Sequence, residues 1–468
     1  MNQSWNLPAK YGCGMQSPSM TAGTFARYAG ANVPRYTSYP TAPAFSPAVG
    51  ESQYRGWLSA IPQGTGISVY LHVPFCRAMC LYCGCHTTVT ARDEPIERYL
   101  DALEAEIELA AAAMPQGLLL RHLHFGGGSP TLVPPERMIA LMARLRRHFT
   151  FTSDAEIAIE VDPRTLSAEL AQVLGKTGFT RASIGVQSFD PVVQRAINRV
   201  QSFEVTQAAI HMLRRAGIER INLDLIYGLP HQTVQSCRDT VTQALELAPD
   251  RFAVFGYAHV PAFKQHQRRL DEAALPGMDE RLAQSQAIAA SLREAGFAEI
   301  GLDHYARSDD PLAVAWRTGA LHRNFQGYTT DDAEVLVGIG SSAIGHVPQG
   351  YAQNTVLISD YLQRVAEGRL PVARGYALCE EDKVRAAVIE RIMCDRRVDL
   401  DAVCGRFAWE PTRIIDEGYL AALEDDGLLA RRGMVLEVTP AAYPLVRSVA
   451  AAFDAGLAQN RERYSRAV

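Results

Sequence analysis

The sequence predicts an α/β fold in which a parallel sheet is walled by helices. Two observations carry this expectation. Apolar runs of strand length alternate with longer stretches of helical spacing, and chemically capable polar residues fall just after those runs. The strand-length runs are Ile67–Val73, Leu119–Phe125, Glu156–Val161, Ala182–Val186, Ile221–Ile226 and Phe252–Tyr257. Between most of them, the stretches Ile96–Ala113, Arg137–Phe149, Phe203–Ala216 and Val234–Leu247 space their apolar residues for one face of a helix. Six such units are too few for a full eight-fold barrel. No repeat of fixed period and no low-complexity tract appears.

Active sites of parallel barrels gather at the C-terminal ends of the strands. Here the first strand is followed by Cys76, Cys80, Cys83 and Cys85, and the second by Gly126-Gly127-Gly128-Ser129-Pro130-Thr131. The third ends in Glu160-Val161-Asp162-Pro163-Arg164, the fourth leads to Gln187, the fifth carries Asp224, and the sixth runs into Ala258 and His259. Glycine admits close backbone approach to a ligand. Glu160 and Asp224 are acceptors for hydroxyls or an ammonium. Arg199 is a guanidinium fork for a carboxylate.

Cys76, Cys80 and Cys83 stand in a C-x₃-C-x₂-C spacing. Three thiolates on a cluster of four irons leave one iron open to a ligand from outside the protein. This run resembles the radical S-adenosylmethionine superfamily, whose cofactors carry the hard chemistry. The resemblance implies an open six-unit (β/α) partial barrel, which the six strand–helix units suit. A structural zinc site is the alternative, with Cys85 and His86 available to complete four ligands.

Beyond about Tyr376 the pattern changes. Helical stretches at Glu380–Cys394 and Pro411–Glu424 precede a hairpin whose turn is Arg432-Gly433. The expectation is a smaller, mainly helical C-terminal domain of winged-helix type. It reads as a packing module capping the open barrel, because Glu424-Asp425-Asp426 beside the hairpin would repel phosphates.

The net charge of −5 argues against a nucleic-acid or anionic-membrane surface, and a hydrophobic content of 47% supports an ordinary core. No segment approaches the ~18 uninterrupted apolar residues of a spanning helix, and the N-terminus lacks the apolar core of a secretion signal. Nine cysteines, four of them clustered, do not read as a disulfide framework. A cytoplasmic location fits thiolates kept reduced. Cys13, Cys237, Cys379, Cys394 and Cys404 read as small buried hydrophobes.

From about residue 34 onward the chain resembles the oxygen-independent coproporphyrinogen III dehydrogenases. The resemblance rests on Arg35–Ala42, the cysteine run, Ile159–Arg164, Gly185–Phe189, Asp224–Pro230, Tyr257–His259, Asp303–Arg307, His322–Thr330, Gly338–Ile344 and Arg463–Arg466. It implies one 4Fe–4S cluster held by Cys76, Cys80 and Cys83, and two S-adenosylmethionine molecules. By position, Tyr70, Gly127, Glu160 and Ile344 would contact the first, on the cluster. Tyr82, Gly128, Ser129, Gln187, Arg199, Asp224 and Ala258 would contact the second. Ser129 stands where the family usually has threonine, which keeps the hydroxyl.

The implied reaction converts two propionates of coproporphyrinogen III to vinyl groups, giving protoporphyrinogen IX. It implies a catalytic role near the substrate for Cys85, with Arg35, Arg307 and Arg323 as partners of substrate carboxylates. An electron-donor protein of flavodoxin or ferredoxin type is expected, as is a monomer. The expected domains are a segment 1–55 folding over the active site, a catalytic domain 56–370 and a C-terminal domain 371–468. Tyr36 and Tyr39, with Pro40 stiffening the backbone, read as a lid on the macrocycle, or else as a strap buried for stability. A haem chaperone, or a radical methyltransferase or haem-degrading relative, remains the alternative function. Cys85 and Arg35–Ala42 separate this chain from the chaperones, which generally lack both.

Overall fold

The computed structural model describes residues 20–460, 462 and 464. Cys13 and most of the terminal motif 463–466 lie outside the described residues. Twelve strands form one sheet. In chain order they are β1 (Gly66–Val73), β2 (Leu119–Gly127), β3 (Thr150–Val161), β4 (Arg181–Gln187), β5 (Arg220–Tyr227), β6 (Arg251–Gly256), β7 (Ala298–Ile300), β8 (His304–Ala306), β9 (Val335–Ile339), β10 (Ile344–Val347), β11 (Gly350–Asn354) and β12 (Val372–Ala377). Their spatial order is β12-β11-β10-β9-β1-β2-β3-β4-β5-β6-β8-β7.

Strands β1 to β6 are parallel neighbours, and each is followed by helix: α1 (Glu94–Ala113), α2 (Pro135–His148), α3 (Ala168–Lys176), α4 (Phe203–Arg215), α5 (Val234–Glu246) and α6 (Met278–Glu294). The six expected strand–helix units are therefore present. The sheet also runs on past both edges of this set. β9 adds parallel to β1, β10–β12 continue antiparallel, and β8 with β7 closes the far edge antiparallel to β6. These edge strands are short and lack long apolar runs, so periodicity alone does not reveal them.

Alternation along each strand sorts the side chains into two environments. Val69, Leu71, Leu123, Phe125, Ile157, Ile159, Ile184, Leu223 and Leu225 point outward into the main core. There they meet Ile96, Leu100, Leu103 and Ile107 of α1, a helical stripe, together with the apolar faces of the other helices. The intervening residues, among them Tyr70, His72, His124, Glu160, Ser183, Asn222 and Asp224, face the barrel interior. The strand registers set Tyr70 beside His124, Glu160 beside Ser183, Ser183 beside Asn222 and Gly185 beside Asp224.

A second core belongs to the C-terminal domain. Helix Glu380–Asp395, strand Arg397–Asp399, helices Leu400–Gly405 and Glu417–Asp425, and the hairpin Leu429–Arg432/Val435–Val438 occur in winged-helix order. Gly433, at φ 62°, makes the hairpin turn. β12 belongs to the large sheet, so this domain starts at Glu380 rather than at 371.

The N-terminal segment departs from the expected lid. Tyr36 and Tyr39 are 3% and 5% exposed and pack with Ala29 and Val33 into the C-terminal core. Tyr36 Oη donates to Asp454, and Tyr39 Oη accepts the Ala455 N–H. Rings so enclosed present no face to a macrocycle. The described part of the segment is a strap for these tyrosines: Ser46 bridges Gly375 of β12, Phe45 stacks on Tyr351 of β11, and the Arg35 guanidinium donates to Gly256 O at the end of β6.

Candidate active site at the barrel mouth

The cysteine loop leaves β1 and is gripped from several sides. Leu81 N–H donates to Ile197 O, Asn198 Nδ2 to Met79 O, His266 Nε2 to Cys83 O, Gln267 Nε2 to Tyr82 O, and Lys264 Nζ to Cys85 O. The loops following β4 and β6 thus fix its shape. All three spaced cysteines receive donors. Thr87 Oγ1 (3.2 Å) and Ser129 Oγ (3.5 Å) point at Cys76 Sγ. Arg199 Nη1 (3.6 Å) and Arg164 Nη2 (3.8 Å) point at Cys80 Sγ. Cys83 Sγ accepts from Cys85 N–H at 3.4 Å, and the Cys85 thiol draws the Cys83 thiol down to about 7. Cys85 itself is exposed to the open centre, within electrostatic reach of Tyr70 and Glu160.

The glycine run is a backbone joint. Gly128 N–H donates to Val73 O and Ser129 N–H to Phe75 O, sewing the end of β2 to the cysteine loop. A Cβ on Gly128 would stand 2.5 Å from Phe75 O, so only glycine permits this approach. Gly127, at φ 116°, turns its N–H onto Glu160 Oε2 at 3.0 Å. His124 Nε2 is 3.4 Å from Glu160 Oε1, and its ring stacks on Tyr70 at 5.8 Å. Tyr70, Gly127 and Glu160 are therefore one constellation. Ile344 adjoins it, since its backbone crowds Gly338, the register partner of Tyr70. Gly128 and Ser129, expected at a second ligand molecule, are committed to the cysteine loop: Ser129 is 2% exposed and its hydroxyl serves Cys76.

A second constellation forms across β3, β4 and β5. Arg199 is buried, donates to Gly185 O at 2.7 Å, and lies 3.6 Å from Asp162. Burial opposes its charge, but Tyr82, Asp162 and Cys80 hold it protonated. Burial likewise pushes the Asp162 carboxyl up, while Arg164 and Arg199 bring it below the usual carboxylate range. Gln187 sits at φ 69°, a left-handed conformation that non-glycine residues seldom adopt. Asp224 accepts from Ser183 Oγ at 3.2 Å and Asn222 Nδ2 at 2.8 Å, and burial together with the Glu160 charge pushes it up to about 7. Tyr82 and Ala258 are tied through Gln267, which donates to both carbonyls.

Thr87, Arg164, Ser183, Asn222, His124 and Gln267 join the expected residues. Ser183 and Asn222 carried a signal, being on the same strand face as Gly185 and Asp224. Thr87 and Gln267 carried none, because loop closure alone brings them in. Of the arginines expected at substrate carboxylates, Arg307 is misplaced. It follows β8 and its N–H donates to Asp250 O, at the opposite end of β6 from the cysteines. The Arg323 side chain is 3% exposed, stacked on Tyr328 at 4.3 Å, so it makes no direct surface contact.

A family model described as the radical SAM superfamily matches residues 70–244. The oxygen-independent coproporphyrinogen III oxidase of Bradyrhizobium diazoefficiens is 53% identical over 450 residues, covering 96% of this chain and 100% of the relative. The chain belongs to the oxygen-independent coproporphyrinogen III oxidase family. That of Cereibacter sphaeroides is 43% identical over 424 residues, 91% of this chain and 94% of the relative. The solved structure of coproporphyrinogen III oxidase from Escherichia coli, described as a radical SAM enzyme, superposes with a TM-score of 0.87 at 39% identity, over 94% of this chain and 100% of that one.

Radical SAM membership implies a 4Fe–4S cluster and S-adenosylmethionine. The donor set fits such a cluster. Hydrogen bonds aimed at all three sulfurs suit thiolates that carry negative charge onto iron. A zinc site would need His86 as a fourth ligand. His86 hydrogen-bonds the Val356 backbone instead. No helix among the described residues is long and apolar enough to cross a membrane.

Proposed function

We propose that this chain oxidatively decarboxylates two propionates of coproporphyrinogen III to vinyl groups, giving protoporphyrinogen IX. The observation that carries the reading is the set of hydrogen-bond donors aimed at three cysteine sulfurs at the mouth of a barrel, in a chain of which 96% aligns with such an oxidase. When bound, the cluster and S-adenosylmethionine would supply hydrogen-atom abstraction at a propionate β-carbon, and loss of CO₂ with one electron passed to an external one-electron acceptor would leave the vinyl group.

The protein's own part is positional. Cys76, Cys80 and Cys83 hold the cluster, with Thr87, Ser129, Arg199 and Arg164 stabilising their charge. Tyr70, Gly127, Glu160 and Ile344 orient the S-adenosylmethionine on the open iron. A second molecule is received by Tyr82, Gln187, Arg199, Asp224 and Ala258, which come from strand ends and loops at the barrel mouth. Cys85, open to the centre, stands beside the substrate as the catalytic thiol. The enclosing loops keep water and stray hydrogen donors from the radical. Electrons come from a flavodoxin- or ferredoxin-like protein, and the chain acts as a monomer in the cytoplasm.

The test is product analysis of the anaerobically reconstituted holoenzyme supplied with coproporphyrinogen III and a reductant. Protoporphyrinogen and CO₂ are expected, with two equivalents of S-adenosylmethionine bound per chain in equilibrium dialysis. A methylated product, or haem retained without turnover, would overturn the reading in favour of a methyltransferase or a chaperone.

A further inference from the structure

The turn Gly340–Ala343 carries β9 into β10 and delivers Ile344, and all four of its amides are held. Ser342 N–H donates to Thr355 O and Ala343 N–H to Gly340 O, backbone partners near the strand ends. The other two go to side chains of α1, a helix on the outer face of the barrel. Gly340 N–H donates to Glu106 Oε2 at 2.7 Å, and Ser341 N–H to Tyr99 Oη at 2.8 Å. Tyr99 and Glu106 are about two helical turns apart, so they lie on one face of α1.

Tyr99 reaches further. Its hydroxyl donates to His72 O at 2.8 Å, at the end of β1 where the chain enters the cysteine loop. Its ring stands edge-on to Phe75, the residue before Cys76, at 5.4 Å. One phenol therefore joins the root of the cysteine loop to the turn before Ile344. The two backbones meet here: a Cβ on Gly340, at φ 103°, would stand 2.6 Å from His72 O and 2.7 Å from Tyr99 Oη. Glu106 steadies the other flank. It accepts from Asn354 Nδ2, which also donates to Gly340 O, and from Tyr361 Oη of helix Ile358–Ala366.

Stability alone does not account for these groups. Tyr99 and Glu106 are 0% and 2% exposed, on the helix that packs Ile96, Leu100, Leu103 and Ile107 into the main core. Burying a carboxylate is costly even when it is hydrogen-bonded, and apolar side chains of similar volume commonly serve a core as well or better. What a satisfied polar pair adds is a fixed placement of the backbone segments it holds.

We infer that Tyr99, backed by Glu106, is a positioning residue for the S-adenosylmethionine at the cluster: it fixes the offset between the cysteine loop and Ile344. The inference rests on the proposed function, in which the cysteine loop carries the cluster and Ile344 faces the ligand on its open iron. Both α1 side chains are enclosed in the core, so they act through the backbone they hold.

The experiment titrates S-adenosylmethionine into the anaerobic, cluster-loaded and reduced holoenzyme. The shift it causes in the cluster's electron paramagnetic resonance signal reports occupancy at the open iron. In Tyr99→Phe, which keeps the ring and removes only the hydroxyl, half-saturation is expected to need about tenfold more ligand, with iron content unchanged. Glu106→Gln, whose amide sets a donor against Asn354 Nδ2, should weaken binding in the same direction by a smaller factor. Coproporphyrin III affinity, followed by porphyrin fluorescence, should stay at the wild-type level in both. Wild-type half-saturation in Tyr99→Phe overturns the inference whatever the melting temperature does, and marks α1 as packing only. Equal losses for S-adenosylmethionine and coproporphyrin III also overturn it, since they mark a loosened barrel. Should Tyr99→Phe fail to take up iron, Glu106→Gln decides by the same two criteria. A wild type that shows no spectral shift at all sinks the proposed function, and the inference with it.

Discussion

Arg199 Nη1 stands 3.6 Å from Cys80 Sγ and 3.6 Å from an oxygen of Asp162. One guanidinium therefore joins the cysteine loop to the end of β3, and its remaining arm closes on Gly185 O of β4. Such a donor on a cluster thiolate stabilises the reduced state, which carries more negative charge.

Replacing Arg199 by Met should therefore lower the midpoint potential of the reconstituted cluster while its iron content remains. Lysine should restore the potential only in part, since its point charge cannot serve sulfur, carboxylate and carbonyl together. A redox titration followed by electron paramagnetic resonance reads the shift. An unchanged potential in Arg199→Met would remove the hydrogen bond from the account.

Serine at Cys76, Cys80 or Cys83 should each abolish the visible absorbance of the cluster. Serine at Cys85 should leave absorbance and iron in place and stop decarboxylation, because its thiol opens to the centre rather than joining the donor-bearing set. Iron lost from Cys85→Ser would make it a ligand instead.

Asp224 offers a pH signature. Burial and the charge of Glu160 push it up to about 7, so it is largely protonated under mildly acidic conditions. Ribose hydroxyls are best accepted by the ionised carboxylate. S-adenosylmethionine affinity should rise with pH between about 6 and 8, and Asp224→Asn should be weaker and flat over that range. Isothermal titration at several pH values decides it, and a flat wild-type profile would contradict the role.

Glu106 of α1 lies 2% exposed and accepts from Gly340 N–H, Asn354 Nδ2 and Tyr361 Oη. Burial pushes it up to about 7 despite these donors, against an ordinary value of 4.5. The folded state thus holds this proton more tightly than the unfolded chain does. Its contribution to stability is full below about pH 4.5 and is lost as pH rises through about 7, an effect of about 3 kcal/mol. Denaturant unfolding at pH 5.5 and 8 should show the decline in the wild type and a smaller one in Glu106→Gln.

Much of the site was legible because its signals are local. The C-x₃-C-x₂-C spacing needs no tertiary knowledge, and strand ends announce themselves by where apolar runs stop. Alternation then fixes which residues share a face, so Glu160 and Asp224 could be placed on the rim from their neighbours alone. The edge strands β9 to β12 left little trace, since short segments paired on a sheet edge need no long apolar run.

What the sequence determined by itself is the chemistry: three thiols at cluster spacing, six strand–helix units and a rim of polar strand ends. Tertiary structure alone decided partnership. Ser129 went to Cys76, Tyr36 and Tyr39 to the C-terminal core, Arg307 to the far end of β6, and Arg35 to Gly256 at the end of β6 that faces the cysteines. Residue type and spacing state what a side chain can do. Which group it meets depends on contacts between segments hundreds of residues apart, and these are settled only when the whole chain has packed.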